Sequence, residues 1–370
     1  MNVAMISLGC AKNQVDSEVM MKLLKDGKYK TTENPYLADI IIINTCGFIE
    51  KAKQESIDTI IEMGQYKNVG KCKLLIATGC LSERYKDVLL KEMPELDAVI
   101  GTGDYKSIVS VIEKCLKGDK IILYGNQEKI SIDKMNRLIS TKKHTAYLKI
   151  AEGCDNRCTY CIIPSLRGRY RSRNCDEILA EAQWLASNGV KELVLIAQDT
   201  TVYGKDLYNK LMLPNLLKSI AKIEGIEWIR LLYAYPDEFN DELIEIIAKE
   251  EKICKYVDIP IQHASNKILK LMGRNTSKEK INDLITKLRK KIPDITIRTT
   301  FIVGFPGEDD NDFEELVDFI NQVKFDRMGV FTYSREEDTP AYKLPNQIDE
   351  ETKLKTQDIL MCTQMNISLK

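Results

Sequence analysis

Short β-branched runs alternate with longer amphipathic stretches along nearly the whole chain, and this alternation restricts the fold more than any other feature of the sequence. Parallel strands buried on both faces read as continuous apolar runs, and amphipathic helices as apolar positions recurring every three or four residues. By these criteria strands are predicted at 3–7, 39–44, 73–78 and 97–100, and helices at 14–25, 50–63, 82–92 and 106–116. The order βαβαβαβα predicts a doubly wound parallel α/β domain. Between 117 and 143 the alternation fades; charges, Gly118, Gly125 and one apolar run at 121–124 read as a linker or peripheral hairpin. It resumes after His144, with strands predicted at 146–151, 192–197, 228–233, 256–259, 296–303 and 327–333. The helices between them are predicted at 176–187, 213–222, 241–249, 278–290 and 310–323. Six strands, with no chain left for two more units, predict a partial (β/α)6 barrel of the TIM type. Residues 349–370 read as one helix. The expected division is thus 1–117, 118–143, 144–348 and 349–370.

Single domains rarely exceed ~250 residues, so 370 residues suit two of them. No apolar run approaches the ~18 residues of a membrane span, and the start, MNVAMISLGC, lacks the charged region of a signal peptide. With 54 Lys and Arg against 55 Asp and Glu, the net charge of −1 argues against nucleic-acid binding by bulk electrostatics and leaves room only for a local basic patch. The eleven cysteines are odd in number and too sparse for a disulfide scaffold. Reduced thiols in a cytoplasmic protein are expected, and metal ligation is the leading reason for any that cluster.

Two groups do cluster. Cys154, Cys158 and Cys161 form C-D-N-R-C-T-Y-C directly after the first predicted barrel strand. Three thiolates within eight residues can hold three corners of a cubane cluster and leave the fourth iron open. Structural zinc wants four ligands, and His144 lies ten residues upstream. The second group emerges only on the strand pattern. Cys10, Cys46 and Cys80 follow the first three predicted strands, in S-L-G-C, N-T-C-G and A-T-G-C. The carboxyl ends of parallel strands share one edge, where open α/β sheets bind ligands, so these thiols should converge. Gly9, Gly47 and Gly79 beside them would permit tight turns. Cys72, Cys115, Cys175, Cys254 and Cys362 share no spacing and read as packing residues.

The CxxxCxxC word on a six-unit β/α pattern resembles the radical S-adenosylmethionine (SAM) enzymes, and the N-terminal Cys10, Cys46, Cys80 domain narrows the resemblance to the methylthiotransferases. It covers essentially the whole chain. The words SLGCAKNQVDSE at 7–18, YLKIAEGCDNRCTYCIIPSLRGRYRSR at 147–173, YVDIPIQHAS at 256–265, RTTFIVGFPGE at 298–308 and YSREEDTPA at 333–341 are similar to the RimO type. Members of that type methylthiolate the β-carbon of an aspartate in ribosomal small-subunit protein twelve. The YGCQMN-like and YTRGRE-like words of the tRNA-modifying sister type, MiaB, are absent. Asp338 stands where the family has glycine, which puts that turn in question. The family ends in a small β-barrel module, TRAM, and the chain stops where it would begin, so the sequence reads as truncated.

The resemblance implies two 4Fe-4S clusters and two uses of SAM. Cys154, Cys158 and Cys161 would hold the cluster that chelates SAM and yields a 5′-deoxyadenosyl radical; Cys10, Cys46 and Cys80 would hold an auxiliary cluster carrying the sulfur to be transferred. The partners it implies are the ribosomal protein, an electron donor such as flavodoxin or ferredoxin, and neither membrane nor nucleic acid as substrate.

Barrel enzymes place their chemistry at the carboxyl ends of the strands. The candidates for SAM contact are therefore Gln198, Asp199 and Thr200 after the second barrel strand, Arg230 and Tyr233 on the third, Asp258, Gln262 and His263 on the fourth, and Arg298 and Thr300 on the fifth. Arg167, Arg169, Arg171 and Arg173 form an alternating run whose default is a solvated surface or ion pairing; phosphate or RNA contact, and an electropositive lining for an acidic substrate loop or the SAM carboxylate, are the alternatives. Two rival functions remain at this stage: a tRNA methylthiotransferase, which would call for a basic face, and a non-enzymatic iron-sulfur scaffold, which has no use for a barrel.

Overall fold

Four consecutive isoleucines, Ile40 to Ile43, have no exposed surface, as the middle of a parallel sheet covered on both faces requires. In the computed structural model, which describes residues 1–127 and 136–369, they form the core of strand β3 (Ile40–Thr45). Around it stand β1 (Asn2–Ser7), β2 (Lys30–Thr31), β4 (Leu74–Gly79), β5 (Ala98–Ile100) and β6 (Ile121–Leu123). Their order is β2-β1-β3-β4-β5-β6, every neighbouring pair parallel. The order reverses at β1, so the topological switch point of this doubly wound sheet lies between β1 and β3. Burial of each such isoleucine contributes ~1.5–3 kcal/mol of hydrophobic stabilisation. This sheet belongs to a first compact unit, Met1–Lys142 with Glu152–Cys154 and Ile162–Arg169.

The stretch read as a linker or hairpin differs from that expectation. Residues 128–135 of it lie outside the described residues, but Ile121–Leu123 is a sixth strand added parallel to β5. A three-residue strand at a sheet edge carries too little periodicity to be recognised in sequence. Further along, Arg137 and Ser140 return to the first helix, Ala11–Asp26. Arg137 ion-pairs with Glu18, and the Ser140 amide and hydroxyl donate to Glu18 Oε1 at 2.9 and 2.7 Å.

The second unit comprises Lys143–Ala151, Asp155–Cys161 and Tyr170–Lys370. Its sheet uses β7 (Thr145–Lys149), β10 (Glu192–Ile196), β11 (Trp228–Leu231), β12 (Ile253–Gln262), β13 (Thr296–Val303) and β14 (Arg327–Thr332), while β8 (Ala151–Glu152) and β9 (Arg171–Ser172) belong to neither six-stranded sheet. The spatial order β7-β10-β11-β12-β13-β14 follows the chain, all parallel, as successive units of a partial barrel must. Strand β12 runs well beyond the predicted 256–259. Pro260 cannot donate to a ladder and so reads as a stop; the strand continues through a register shift between Ile259 and Gln262.

Helix starts follow their caps. Asn174, Asn240, Ser277 and Asp349 each accept from a first-turn amide, and Asp309 and Asp312 form a capping box. Helices Lys205–Tyr208 and Asn266–Leu271 are too short to show a period and are missed in sequence. The last helix, Glu350–Ser368, is tied to β14 and the segment before it: Gln357 donates to Val330 O at 2.6 Å and Gln364 to Phe325 O at 2.8 Å. Asp338 adopts φ +63°, the left-handed conformation that glycine would take and that Asp tolerates better than most residues, so the turn survives the departure from the family word. Among the described residues no helix is long and apolar enough to cross a membrane.

Candidate metal centres

Strand register decides where the first cysteine group lies. Ser7, Asn44 and Thr78 stand side by side across β1, β3 and β4. Cys10, Cys46 and Cys80 follow them by three, two and two residues, at the carboxyl edge and beside the switch point. The loops touch. A methyl on Gly9 would meet Cys46 Sγ at 2.9 Å, and one on Gly47 would meet the Cys80 carbonyl carbon at 2.9 Å. The glycines thus serve the close approach of the three loops to one another. Cys10 is exposed, Cys46 half-buried and Cys80 buried. Burial pushes the Cys46 thiol up and the Cys80 thiol to about 12; Cys10 and Cys46 both lie near enough to Cys80 to raise it further.

The helix that starts at this edge turns a polar face inward. Asn13, Asp16, Ser17 and Glu18 are all buried, and buried polar groups must find partners. Asn13 lies at the hub. Its Nδ2 donates to Leu8 O at 3.0 Å and Thr45 O at 2.9 Å, the carbonyls just ahead of Cys10 and Cys46, and its Oδ1 lies 3.9 Å from Cys80 Sγ. Asn44 Nδ2 donates to Asn13 O at 2.8 Å and Ser17 Oγ at 2.9 Å. One amide side chain therefore ties together all three cysteine-bearing loops.

Arg167 completes this arrangement. Buried to 3 % exposure, it donates to Asp16 Oδ2 at 2.7 Å, Glu152 Oε2 at 3.3 Å, Asn13 Oδ1 and Cys80 Sγ at 3.5 Å. The alternating arginine run therefore takes the ion-pairing form of its default reading at Arg167 and Arg173 rather than that of a solvated stripe. Arg173 is fully buried as well, ion-paired with Glu181 at 2.6 Å and donating to Lys149 O at 2.6 Å; Arg169 alone of the four is exposed. Asn13 precedes the helix predicted at 14–25 and no spacing marks it, while Arg167 stands out only as one of the alternating arginines, with nothing to tie it to the cysteines.

The second cysteine group lies in a loop within which the chain passes from one unit to the other. In the first unit the Cys154 amide donates to Gly168 O at 3.2 Å. In the second, the Cys161 amide donates to Cys158 O at 3.1 Å, and the loop is clamped by Thr159, whose amide donates to Met272 O at 2.9 Å and hydroxyl to Leu271 O at 2.7 Å. Cys158 is buried, and Tyr160, Tyr235 and Arg274 lie close enough for its charge to act on them. Burial pushes both phenols up, so they stay protonated donors.

Among the described residues no three His, Cys, Asp or Glu side chains gather as around a single metal ion. Thiolates sharing one zinc at ~2.3 Å bonds crowd within about 4 Å of each other, whereas adjacent strand ends are ~4.8 Å apart. An all-sulfur set of three, spread over neighbouring strand ends, suits separate corners of an iron-sulfur cubane with one iron left open.

The other predicted site residues are brought together only in part. Asp199, buried after β10, accepts from Thr201 N at 3.0 Å, Thr201 Oγ1 at 2.6 Å and Asn156 Nδ2 at 2.8 Å, the last from the cysteine loop itself. Burial pushes its carboxyl up against these bonds. The Thr200 amide donates to Tyr233 O at 3.0 Å, the Tyr233 amide to Asp258 Oδ2 at 3.3 Å, and Arg298 Nη1 to Asp258 Oδ1 at 3.1 Å, linking four candidates in a chain. Gln198 is half-buried after β10, Thr300 lies on β13, and Gln262, with a buried Oε1 lacking a partner, ends β12 at φ +79°. Arg230 and His263 stand apart from this group. Arg230 reaches back to Glu192 at the amino end of β10, 2.7 Å away, and lies over Tyr256. His263 is fully buried, accepting from Ser265 N at 3.0 Å with Nε2 3.8 Å from Glu308.

A partial β/α barrel preceded by a doubly wound domain, each bearing cysteines at strand ends, defines a radical SAM protein. The model of the radical SAM superfamily matches residues 148–320, and that of uncharacterized protein family UPF0004 matches 2–101. The chain is 56 % identical over 370 residues to the ribosomal protein uS12 methylthiotransferase RimO of Clostridium botulinum (strain Eklund 17B / Type B), covering 99 % of this chain and 82 % of that one. To the protein of the same name from Thermoanaerobacter sp. (strain X514) it is 57 % identical over 367 residues, covering 99 % and 84 %. It belongs to the family of ribosomal protein uS12 methylthiotransferases, the RimO family. Among solved structures, the radical SAM methyltransferase TsrM from Kitasatospora setae, with cobalamin and a [4Fe-4S] cluster bound, superposes with a TM-score of 0.68 at 14 % identity, covering 92 % of this chain and 76 % of that one. The cobalamin-dependent radical SAM enzyme OxsB gives 0.56 at 14 %, covering 99 % and 56 %. These two show the shared fold.

Proposed function

We propose that this chain is a radical SAM methylthiotransferase that places a methylthio group on the β-carbon of an aspartate in ribosomal protein uS12, working in the cytoplasm with electrons from a flavodoxin- or ferredoxin-type donor. Cys154, Cys158 and Cys161 would hold one 4Fe-4S cluster and Cys10, Cys46 and Cys80 a second. When bound, the first cluster with SAM supplies a 5′-deoxyadenosyl radical and the second supplies the sulfur, chemistry no side chain provides. The protein's own part is preorganisation. Asn13 fixes the three N-terminal loops, Arg167 neutralises buried charge beside Cys80, Asn156 fastens the CxxxCxxC loop to Asp199 after β10, and Thr159 fastens it to the end of helix Asn266–Leu271. Asp199, Thr200, Tyr233, Asp258, Gln262 and Arg298, with Gln198 and Thr300, are the proposed SAM contacts. Residues 1–117 are the proposed domain for the second cluster and 144–348 the barrel that binds SAM.

The observation that carries this reading is the all-thiol group at the switch point of the first sheet, for which an enzyme working with one cluster has no use. The test is mass spectrometry of uS12 and of tRNA nucleosides from cells lacking the gene. Loss of one methylthio group from uS12, with tRNA unchanged, is expected. Loss of methylthioadenosine from tRNA with uS12 unchanged would refute the substrate assignment.

A further inference from the structure

Arg274 is buried to 7 % exposure and carries a charge that no protein carboxylate answers. Its Nη2 donates to Pro260 O at 2.6 Å, its guanidinium lies 4.0 Å over the centre of the Tyr235 ring, and its Nε has no partner. Cys158, whose loop is fastened to the same helix end, lies close enough for its charge to act on the guanidinium. Among the described residues no ion pair to Arg274 exists; Asp199 and Asp237 feel its charge only at longer range. A guanidinium is charged at every accessible pH, and an unpaired buried charge costs several kcal/mol. Its location is also built rather than incidental. The end of helix Asn266–Leu271 receives the cysteine loop through both Thr159 hydrogen bonds, and Gly273, at φ +69°, sits so close that a methyl there would meet Arg157 O at 3.0 Å.

We propose that Arg274 is a positioning residue for the iron-sulfur cluster held through Cys158: it donates to the ligating thiolate, supplies the counter-charge of the cluster, and raises its reduction potential. The inference rests on the assignment of Cys154, Cys158 and Cys161 as cluster ligands. A hydrogen bond to sulfur and a nearby cation both favour the more negative, reduced state, so they move the potential upward. Arg167 provides the contrast. It reaches a cysteine sulfur, yet Asp16 and Glu152 already balance its charge.

The test uses the anaerobically reconstituted full chain, with iron content and a redox titration followed by electron paramagnetic resonance on the signal that SAM perturbs. Arg274→Gln should keep its iron while the equilibrium for one-electron reduction falls at least tenfold, about 59 mV. Arg274→Lys, which keeps a cation, should restore most of that shift. Iron lost from the Gln variant and retained by the Lys variant would also support the charge role. An unchanged potential in the Gln variant with full iron, or iron lost equally from both, would overturn it and leave Arg274 a packing residue. A wild-type chain binding far fewer than about eight irons, or showing no SAM-sensitive signal, would instead sink the cluster assignment beneath it.

Discussion

Replacing Arg167 by methionine isolates the electrostatic anchor of the N-terminal cysteine group. The side chains of Arg167, Asp16 and Glu152 are 3, 4 and 7 % exposed, so solvent screens none of them appreciably. Methionine fills similar volume but removes the cation facing the Asp16 and Glu152 carboxylates and the guanidinium bond to Asn13 Oδ1. Breaking a buried pair from one side costs ~3–5 kcal/mol, a large share of the 5–15 kcal/mol by which domains are ordinarily stable. Fluorescence would miss the effect, because both tryptophans, Trp184 and Trp228, lie in the second unit. Hydrogen exchange of the β3 and β4 amides in iron-free protein reads the first unit directly. With every 1.4 kcal/mol a factor of ten, exchange should accelerate roughly 10²- to 10³-fold or more. Adding Asp16→Asn should recover at least tenfold, since one of the two buried carboxylates that faced the lost cation is neutralised. Exchange within threefold of wild type in the single variant would refute the anchor.

Two further outcomes follow from burial. Asp199→Asn should gain stability on wild type as pH rises. Burial raises the native carboxyl above its unfolded value near 4, so its contribution is complete below that value and is lost through the raised native one; a difference constant from pH 4 to 7, read by tryptophan fluorescence in denaturant, would contradict this. In iron-free protein at neutral pH, iodoacetamide should reach the exposed Cys10 and Cys362 first. It should spare Cys72 and Cys115, whose thiols burial pushes to about 11, and Cys80, pushed to about 12. Early labelling of Cys80 by peptide mapping would show that its loop opens.

Both sheets are legible in the sequence because parallel strands buried on two faces have no polar positions to interrupt them. Ile40 to Ile43 and Leu193 to Ile196 show this directly. What escaped was short or irregular. Ile121–Leu123 is too brief to show a pattern, and β12 crosses Pro260 by shifting register. The cysteine groups were legible for a different reason: a ligand that needs several thiols imposes either a local spacing, as in CxxxCxxC, or one cysteine per βα unit. The residues around those thiols obey no such rule. Arg167 lies 87 residues from Cys80, whose sulfur it meets, and Arg274 lies 116 from Cys158, whose charge reaches it. Contacts across such separations are set by the fold and leave no local period.

The same asymmetry marks the first helix, which begins at Ala11 rather than at the predicted residue 14 and so takes in Lys12 and Asn13. Lys12, Asn13, Asp16, Ser17 and Glu18 would be the solvent face of an ordinary amphipathic helix, and here they are buried. A buried polar face is tolerated only if each group is partnered, and the partners are supplied by the loops to be organised: Leu8 O and Thr45 O for Asn13, Arg167 for Asp16, Ser140 for Glu18. An apolar face would bury as much surface and fix none of those loops, since dispersion contacts carry little direction. Hydrogen bonds do carry direction. The polar helix therefore gives up some hydrophobic stabilisation and in exchange sets the positions of three strand-end thiols before any iron arrives.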